Sequence, residues 1–281
     1  SSGTVVSGTQ TVSGSTITYD TGIQAGGSTT YYFKVCAVSS NSVLAAGTNQ
    51  TFTPTFISTW DTTKASPTNQ VTLPIVSSGT WSATVDWGDN STTTITNANV
   101  STAKIHTYAS SGTYTIKITG TIPDWSFNSS GDNLKLTNIS QWGPMKFGSV
   151  TSAAFSGASN LTITATDIPN LSAATNLSLA FNGCSSLTTV PNMGSWNVAN
   201  VNTLYQTFLG CSNFNENIGN WNVGTVTNFA FTFYNCTAFN QNIGSWDVSK
   251  GTSFYVMFNG ATSFNQDISG WTLAASGISL F

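Results

Sequence analysis

The chain has 281 residues, of which 39% are hydrophobic but only 6% charged, with a formal net charge of -3. That charged fraction is far below the roughly 25% of ordinary soluble domains, so Ser, Thr, Asn and Gly must supply a neutral, hydrogen-bonding surface. All seven basic residues are lysines (Lys34, Lys64, Lys104, Lys117, Lys135, Lys146 and Lys250), scattered along the chain, which gives no guanidinium fork for phosphate and argues against nucleic acid as a partner.

Regularly spaced Trp, Phe and Tyr supply the burial that disordered polar chains lack, so an ordered fold is expected. No apolar run reaches the roughly 18 residues of a membrane span, and no basic-then-apolar signal segment opens the chain. The expected class is mainly β: one or two β-sandwich modules followed by a leucine-rich-repeat-like solenoid with coils of ~25 residues.

The first expected module covers residues 1–54. Its segment Gly26-Gly-Ser-Thr-Thr-Tyr31-Tyr-Phe33-Lys-Val35-Cys36-Ala37-Val38 resembles the tyrosine-bearing strand of fibronectin type III domains. The stretch before Pro54 is shorter than a whole domain of that kind. The resemblance therefore implies a partial module, completed by strands outside this chain or by another polypeptide. Cys36 is expected to pack within its strand.

Residues 55–123 form the second expected module. Trp81-Ser-Ala-Thr-Val-Asp86-Trp87-Gly88-Asp89-Asn90 reads as a strand running into a turn, and Tyr114, Ile116 and Ile118 alternate as in a half-buried strand. With His106-Thr-Tyr108-Ala-Ser-Ser-Gly112-Thr-Tyr114, the pair of motifs resembles the polycystic-kidney-disease (PKD) domain, which implies a β-sandwich. Trp87 and Asn90 depart from that family's commonest pattern.

From residue 124 to 281 the chain repeats. Phe155, Phe181, Phe208, Phe233 and Phe258 recur at intervals of 25 to 27 residues, each followed by a small or turn-forming pair. Trp196, Trp221, Trp246 and Trp271 fall 25 apart, as do Phe214, Phe239 and Phe264, and Ile218, Ile243 and Ile268. A period near 25 lies within the leucine-rich-repeat window and is too short for a pair of helices. Stacked coils should place like on like and form a parallel sheet along one face. Phe239 to Val248 is the expected strand, and Thr252 to Asn259 a short helical or 3₁₀ turn. Asn215, Asn240 and Asn265 should form a ladder that holds backbone groups between coils. The run Phe233-Tyr-Asn-Cys-Thr-Ala-Phe239-Asn-Gln-Asn-Ile-Gly-Ser-Trp246-Asp-Val-Ser resembles the BspA-like surface-protein repeat, a relative of leucine-rich repeats, which implies a cell-surface location and adhesion. At the other end Phe281 falls where a further repeat begins, so the stack is expected to continue or dock.

Residues capable of chemistry are few. His106 is the only histidine and sits in the tyrosine motif, where a structural hydrogen bond is its expected role; no G-x-S-x-G elbow is present. Asp86 and Asp89 form the only close acidic pair in a recognisable turn, and the expected reading is structural, with calcium binding and glycoside chemistry as the alternatives. Cys184, Cys211 and Cys236 share one repeat position, which suits stacked, buried free thiols better than a zinc cluster or a disulfide. The tryptophan column could serve as a sugar platform, but a buried structural ladder is the expected role. No catalytic, cofactor or metal residue is assigned, and the chain is not expected to be an enzyme.

These observations point to an extracellular or cell-surface structural or adhesion protein. Its solenoid would bind a protein partner or self-associate into a filament or sheath. A carbohydrate-binding module with a glycan partner is the alternative. Ice binding ranks below both, since no outward Thr-x-Thr column recurs at the 25-residue step.

Overall fold

The computed structural model describes residues 9–13, 16–20, 31–34, 49–149 and 152–273, with side chains described from residue 53. Cys36 and the expected continuation at Phe281 lie outside the described residues, as does most of the fibronectin-like segment. Four strands are described there: β1 (Thr9–Ser13) pairs antiparallel with β2 (Thr16–Asp20), and β3 (Tyr31–Lys34) with β4 (Asn49–Phe52).

The fold is mainly β. The next strands are β5 (Thr55–Asp61), β6 (Gln70–Thr72), β7 (Ser82–Asp86), β8 (Thr92–Thr96), β9 (Ile105–Thr107), β10 (Thr113–Thr121), β11 (Leu136–Gln141) and β12 (Thr162–Ile163). Six of them form one open sheet in the order β12-β11-β5-β10-β7-β8, while β6 and β9 form a separate pair. Alternation sets which side chains enter the core: Phe56, Ser58 and Trp60 from β5, Ala83 and Val85 from β7, Ile116 and Ile118 from β10 are all buried. Buried Ser58 is not an orphan, because its hydroxyl accepts the Trp60 indole N–H at 2.9 Å. Trp60, Trp125, Phe56 and Phe127 interlock with ring centroids 5.4 to 6.4 Å apart.

The sheet runs directly into the repeats. β11 pairs antiparallel with β5 on one side and parallel with β12 on the other, in the register Asn138↔Thr162 and Ile139↔Ile163. That step of 24 residues already has the length of a repeat, so β11 acts as the edge on which the following tiers are laid. Side chains reinforce it: Thr162 Oγ1 donates to the Thr137 carbonyl at 2.9 Å, and Asn160 Nδ2 to that of Leu134 at 2.8 Å.

Beyond β12 the ~25-residue repeats stack in tiers, but not through the expected strand. Phe239 to Val248 forms turns and irregular chain, and the inter-tier bridges lie just before the recurring phenylalanines, at Asn176↔Thr203↔Asn228↔Ser253, all parallel. The reason is in the backbone dihedrals. Ala153, Leu179, Gln206, Phe231 and Val256 occupy one repeat position and all have positive φ, between 43° and 61°. Four residues on, Gly157, Gly183, Gly210, Asn235 and Gly260 form a second left-handed column, φ 56° to 80°. Glycine and asparagine are the residues that adopt this region most readily. Two left-handed residues per segment break the extended geometry of a strand, so a parallel sheet is replaced by single bridges.

Hydrogen bonding is nevertheless nearly complete. Leu177, Leu179, Phe181 and Gly183 donate N–H to the carbonyls of Thr203, Tyr205, Thr207 and Leu209 one tier on, and Leu204, Gln206, Phe208 and Gly210 do the same to Asn228, Ala230, Thr232 and Tyr234. The intervening amides turn back three residues within their own tier, as Ala180 does to Leu177 and Asn182 to Leu179. Within these segments every second N–H thus points toward the following tier, while Asn202, Thr227 and Thr252 donate to the tier before.

Candidate functional site

The sequence-derived repeat residues come together inside the stack. Phe155, Phe181, Phe208, Phe233 and Phe258 form a continuous column with centroid separations of 5.4, 5.8, 5.8 and 5.7 Å and interplanar angles of at most 17°. A second column, Phe214, Phe239 and Phe264, runs beside it at 6.0 and 5.9 Å. Trp196, Trp221 and Trp246 are each only 3% exposed, and Trp271 is partly buried. Each leans on the phenylalanine of its own tier, as Trp221 does on Phe208 at 6.0 Å and Trp246 on Phe233 at 6.2 Å. The indole N–H of Trp221, Trp246 and Trp271 donates to the carbonyl of Met193, Ile218 and Ile243 respectively, 2.8 to 3.1 Å away. Trp196, Trp221 and Trp246 are buried too deeply to offer a face to a sugar.

The cysteines are equally committed. Cys184, Cys211 and Cys236 are buried free thiols, and each Sγ donates to the carbonyl of the phenylalanine one tier back: Phe155 at 3.2 Å, Phe181 at 2.9 Å and Phe208 at 2.8 Å. Burial pushes all three thiols up, Cys236 to about 12. A thiol held in that state is a poor nucleophile and metal ligand. On the flank, Asn215 Oδ1 accepts the Asn240 N–H at 2.9 Å and Asn240 Oδ1 accepts the Asn265 N–H at 2.8 Å, while Gln241 and Gln266 add side-chain bonds across the same steps.

In the sheet module, Asp86 and Asp89 each hold their own turn: Asp86 Oδ1 accepts Gly88 N–H at 3.0 Å, and Asp89 Oδ1 accepts the N–H and hydroxyl of Ser91. Asp89 Oδ2 lies 2.8 Å from His106 Nε2, and the imidazole stacks on Trp87 at 4.7 Å. Ser91, His106 and Asp89 are therefore neighbours, but the serine (3.5 Å) and the aspartate approach the same ring nitrogen. A nucleophilic triad needs the carboxylate on the opposite nitrogen from the hydroxyl. No group of three or more His, Cys, Asp or Glu placed to hold a metal ion occurs among the described residues.

One cluster escaped the sequence reading. Tyr205, Phe231, Tyr234 and Tyr255 lie on the outer side of the bridged segments, spread over three tiers. Phe231 is central, with centroids 5.9 Å from Tyr205, 5.7 Å from Tyr234 and 5.3 Å from Tyr255, meeting at steep angles rather than stacked flat. Tyr255 is 41% exposed and the other three are partly exposed. Amides accompany the rings: Gln206 Nε2 donates to the Tyr205 hydroxyl at 2.8 Å, and Asn235 and Asn259 follow on the exposed surface, linked by an N–H to carbonyl bond of 2.8 Å. The three segments that carry the cluster, residues 203–209, 228–235 and 253–259, contain no Asp, Glu, Lys, Arg or His.

Residues 175–276 match the family model described as a Mycoplasma protein of unknown function, DUF285. No curated protein and no solved structure matches the chain.

Proposed function

We propose that the chain is an extracellular or cell-surface structural and adhesion protein, whose repeats form a leucine-rich-repeat-like, BspA-like solenoid held out by PKD-like and partial fibronectin type III-like modules. The observation that carries this reading is how the side chains are used. The repeat cysteines, Trp221 and Trp246, the Asn215, Asn240 and Asn265 ladder and the Asp89–His106 pair are spent on holding the scaffold, while the chain as a whole carries few charges. A surface poor in charge binds by area and hydrogen bonding rather than by charge steering. The DUF285 match over the repeats supports a surface-protein relationship and leaves the partner open.

The stack would meet a protein partner or further copies of the same chain along this surface. The test of location is immunolabelling with antibodies against residues 49–273. Labelling of intact, unpermeabilised cells is expected, and labelling only after permeabilisation would overturn the proposal.

A further inference from the structure

We propose that the outward cluster of Tyr205, Phe231, Tyr234 and Tyr255 is a binding site for a neutral carbohydrate chain. This rests on reading the stack as a presented surface and names the ligand class that the surface takes.

The first argument is the break in periodicity. Inside the stack the phenylalanine column keeps one residue type over five tiers, and the Leu177, Leu204, Phe229 and Phe254 column stays large and apolar, because every tier must fill the same space. At the cluster the equivalent positions change freely: Ser178, Tyr205, Ala230 and Tyr255 share one column, and Leu179, Gln206, Phe231 and Val256 the next. Packing does not ask for a tyrosine where the neighbouring tiers carry serine or alanine. Aromatic rings placed outward against the repeat are a local addition to a regular scaffold, and an exposed apolar grouping of this kind marks an interaction site.

The second argument is chemical. An aromatic face carries the negative side of a quadrupole, which attracts the weakly positive C–H groups on the flat face of a sugar ring. The amides of Gln206, Asn235 and Asn259 provide both donors and acceptors for hydroxyl groups. No ionised side chain lies within the three segments, so nothing there selects a charged ligand. Rings on successive tiers recur along the stack axis, which suits a linear polymer of repeating units.

Area decides against the macromolecular occupants. A stable protein interface buries roughly 1,000 Å² over both partners, about 500 Å² on each, whereas an aromatic side chain offers at most about 250 Å² and Tyr255, the most exposed of the four, is only 41% exposed, so the four rings together supply less than one side.

The test uses the full 281-residue chain. Neutral hexasaccharides (β-1,4-linked glucose, N-acetylglucosamine, mannose and xylose) are titrated by calorimetry and by tyrosine and tryptophan fluorescence. Saturable binding of at least one is expected, with Tyr255→Ala and Tyr205→Ala each weakening it about tenfold and Tyr255→Phe retaining most of it. Circular dichroism and the melting temperature of Tyr255→Ala should match the parent, since that side chain is exposed. Absence of binding to all four sugars, or binding that neither alanine variant alters, would overturn the site. So would a concentration-dependent dimer in light scattering that Tyr255→Ala dissolves, because the occupant would then be a second copy. Sugar silence combined with labelling of intact cells would sink this site alone and leave the surface location standing.

Discussion

Lys135 Nζ lies 2.8 Å from Asp132 Oδ1, and neither side chain is meaningfully exposed. The ammonium uses its remaining donors on the carbonyls of Pro67 and Gln70, both at 2.8 Å, while Asp132 Oδ2 accepts the Thr72 N–H at 2.6 Å. Three residues of separation along the chain thus pin the β6 region to the segment that leads into β11, where the sheet becomes the edge of the repeat stack.

Lys135→Met should destabilise the protein by about 3–5 kcal/mol, because it strands a buried carboxylate and two carbonyls. Adding Asp132→Leu should recover part of that loss, since the uncompensated charge goes with it. Urea titrations of the single and double variants check this. Equal midpoints for Lys135→Met and the double variant would show that the stranded Asp132 carboxylate is not what costs the stability.

Phe208 touches Phe181, Phe233, Phe214 and Trp221 and is fully buried, so its truncation leaves a void that rings on both sides must bridge. Phe208→Ala should cost about 3–5 kcal/mol. Phe258→Ala should cost less, since that ring is only partly buried and, among the described residues, stacks on one partner in its column, Phe233. Chemical denaturation ranks the two, and an equal or reversed order would contradict the stacked-column account.

Much of this interior could be read from the sequence because identical residues at a fixed step have one economical explanation, which is that they touch. Phe181, Phe208 and Phe233 illustrate it, and so does the Asn215, Asn240 and Asn265 ladder. The placement of the inter-tier contact was not legible. Leu179, Gln206 and Phe231 give no compositional sign of the left-handed backbone they share, and only the glycines four residues later hint at it. The outer aromatic cluster was hidden for the opposite reason: Tyr205 and Tyr255 share a column with Ser178 and Ala230, so no fixed residue type recurs there. Trp196, Trp221 and Trp246 are conspicuous in the sequence by contrast, and their regularity reflects burial.

Burial and the bond to a carbonyl should make the repeat cysteines inert. With the native protein at pH 8, Cys184, Cys211 and Cys236 are expected to resist a thiol reagent for hours and to react promptly in denaturant, because burial holds each far from ionisation. Peptide mapping after alkylation assigns the label to individual residues. Rapid modification of Cys211 in the native state would mean that the stack opens between tiers.

Asp89 gives the sheet module an acid sensitivity whose direction is fixed. Partial burial works against its charge, but the hydroxyl and N–H of Ser91 and the ring of His106 outweigh that and lower its pKa from 3.8 to about 2. A carboxyl whose pKa is lower in the folded than in the unfolded chain binds fewer protons when folded. Its contribution is therefore complete above about pH 4 and disappears as the pH falls through about 2. Asp89→Asn should leave a melting temperature that is reduced near neutrality and falls less steeply between pH 4 and pH 2 than that of the parent. Thermal unfolding followed in steps across that interval makes the comparison. Parallel curves for parent and variant would show that the bonds from Ser91 and His106 do not favour the ionised carboxylate in the folded chain.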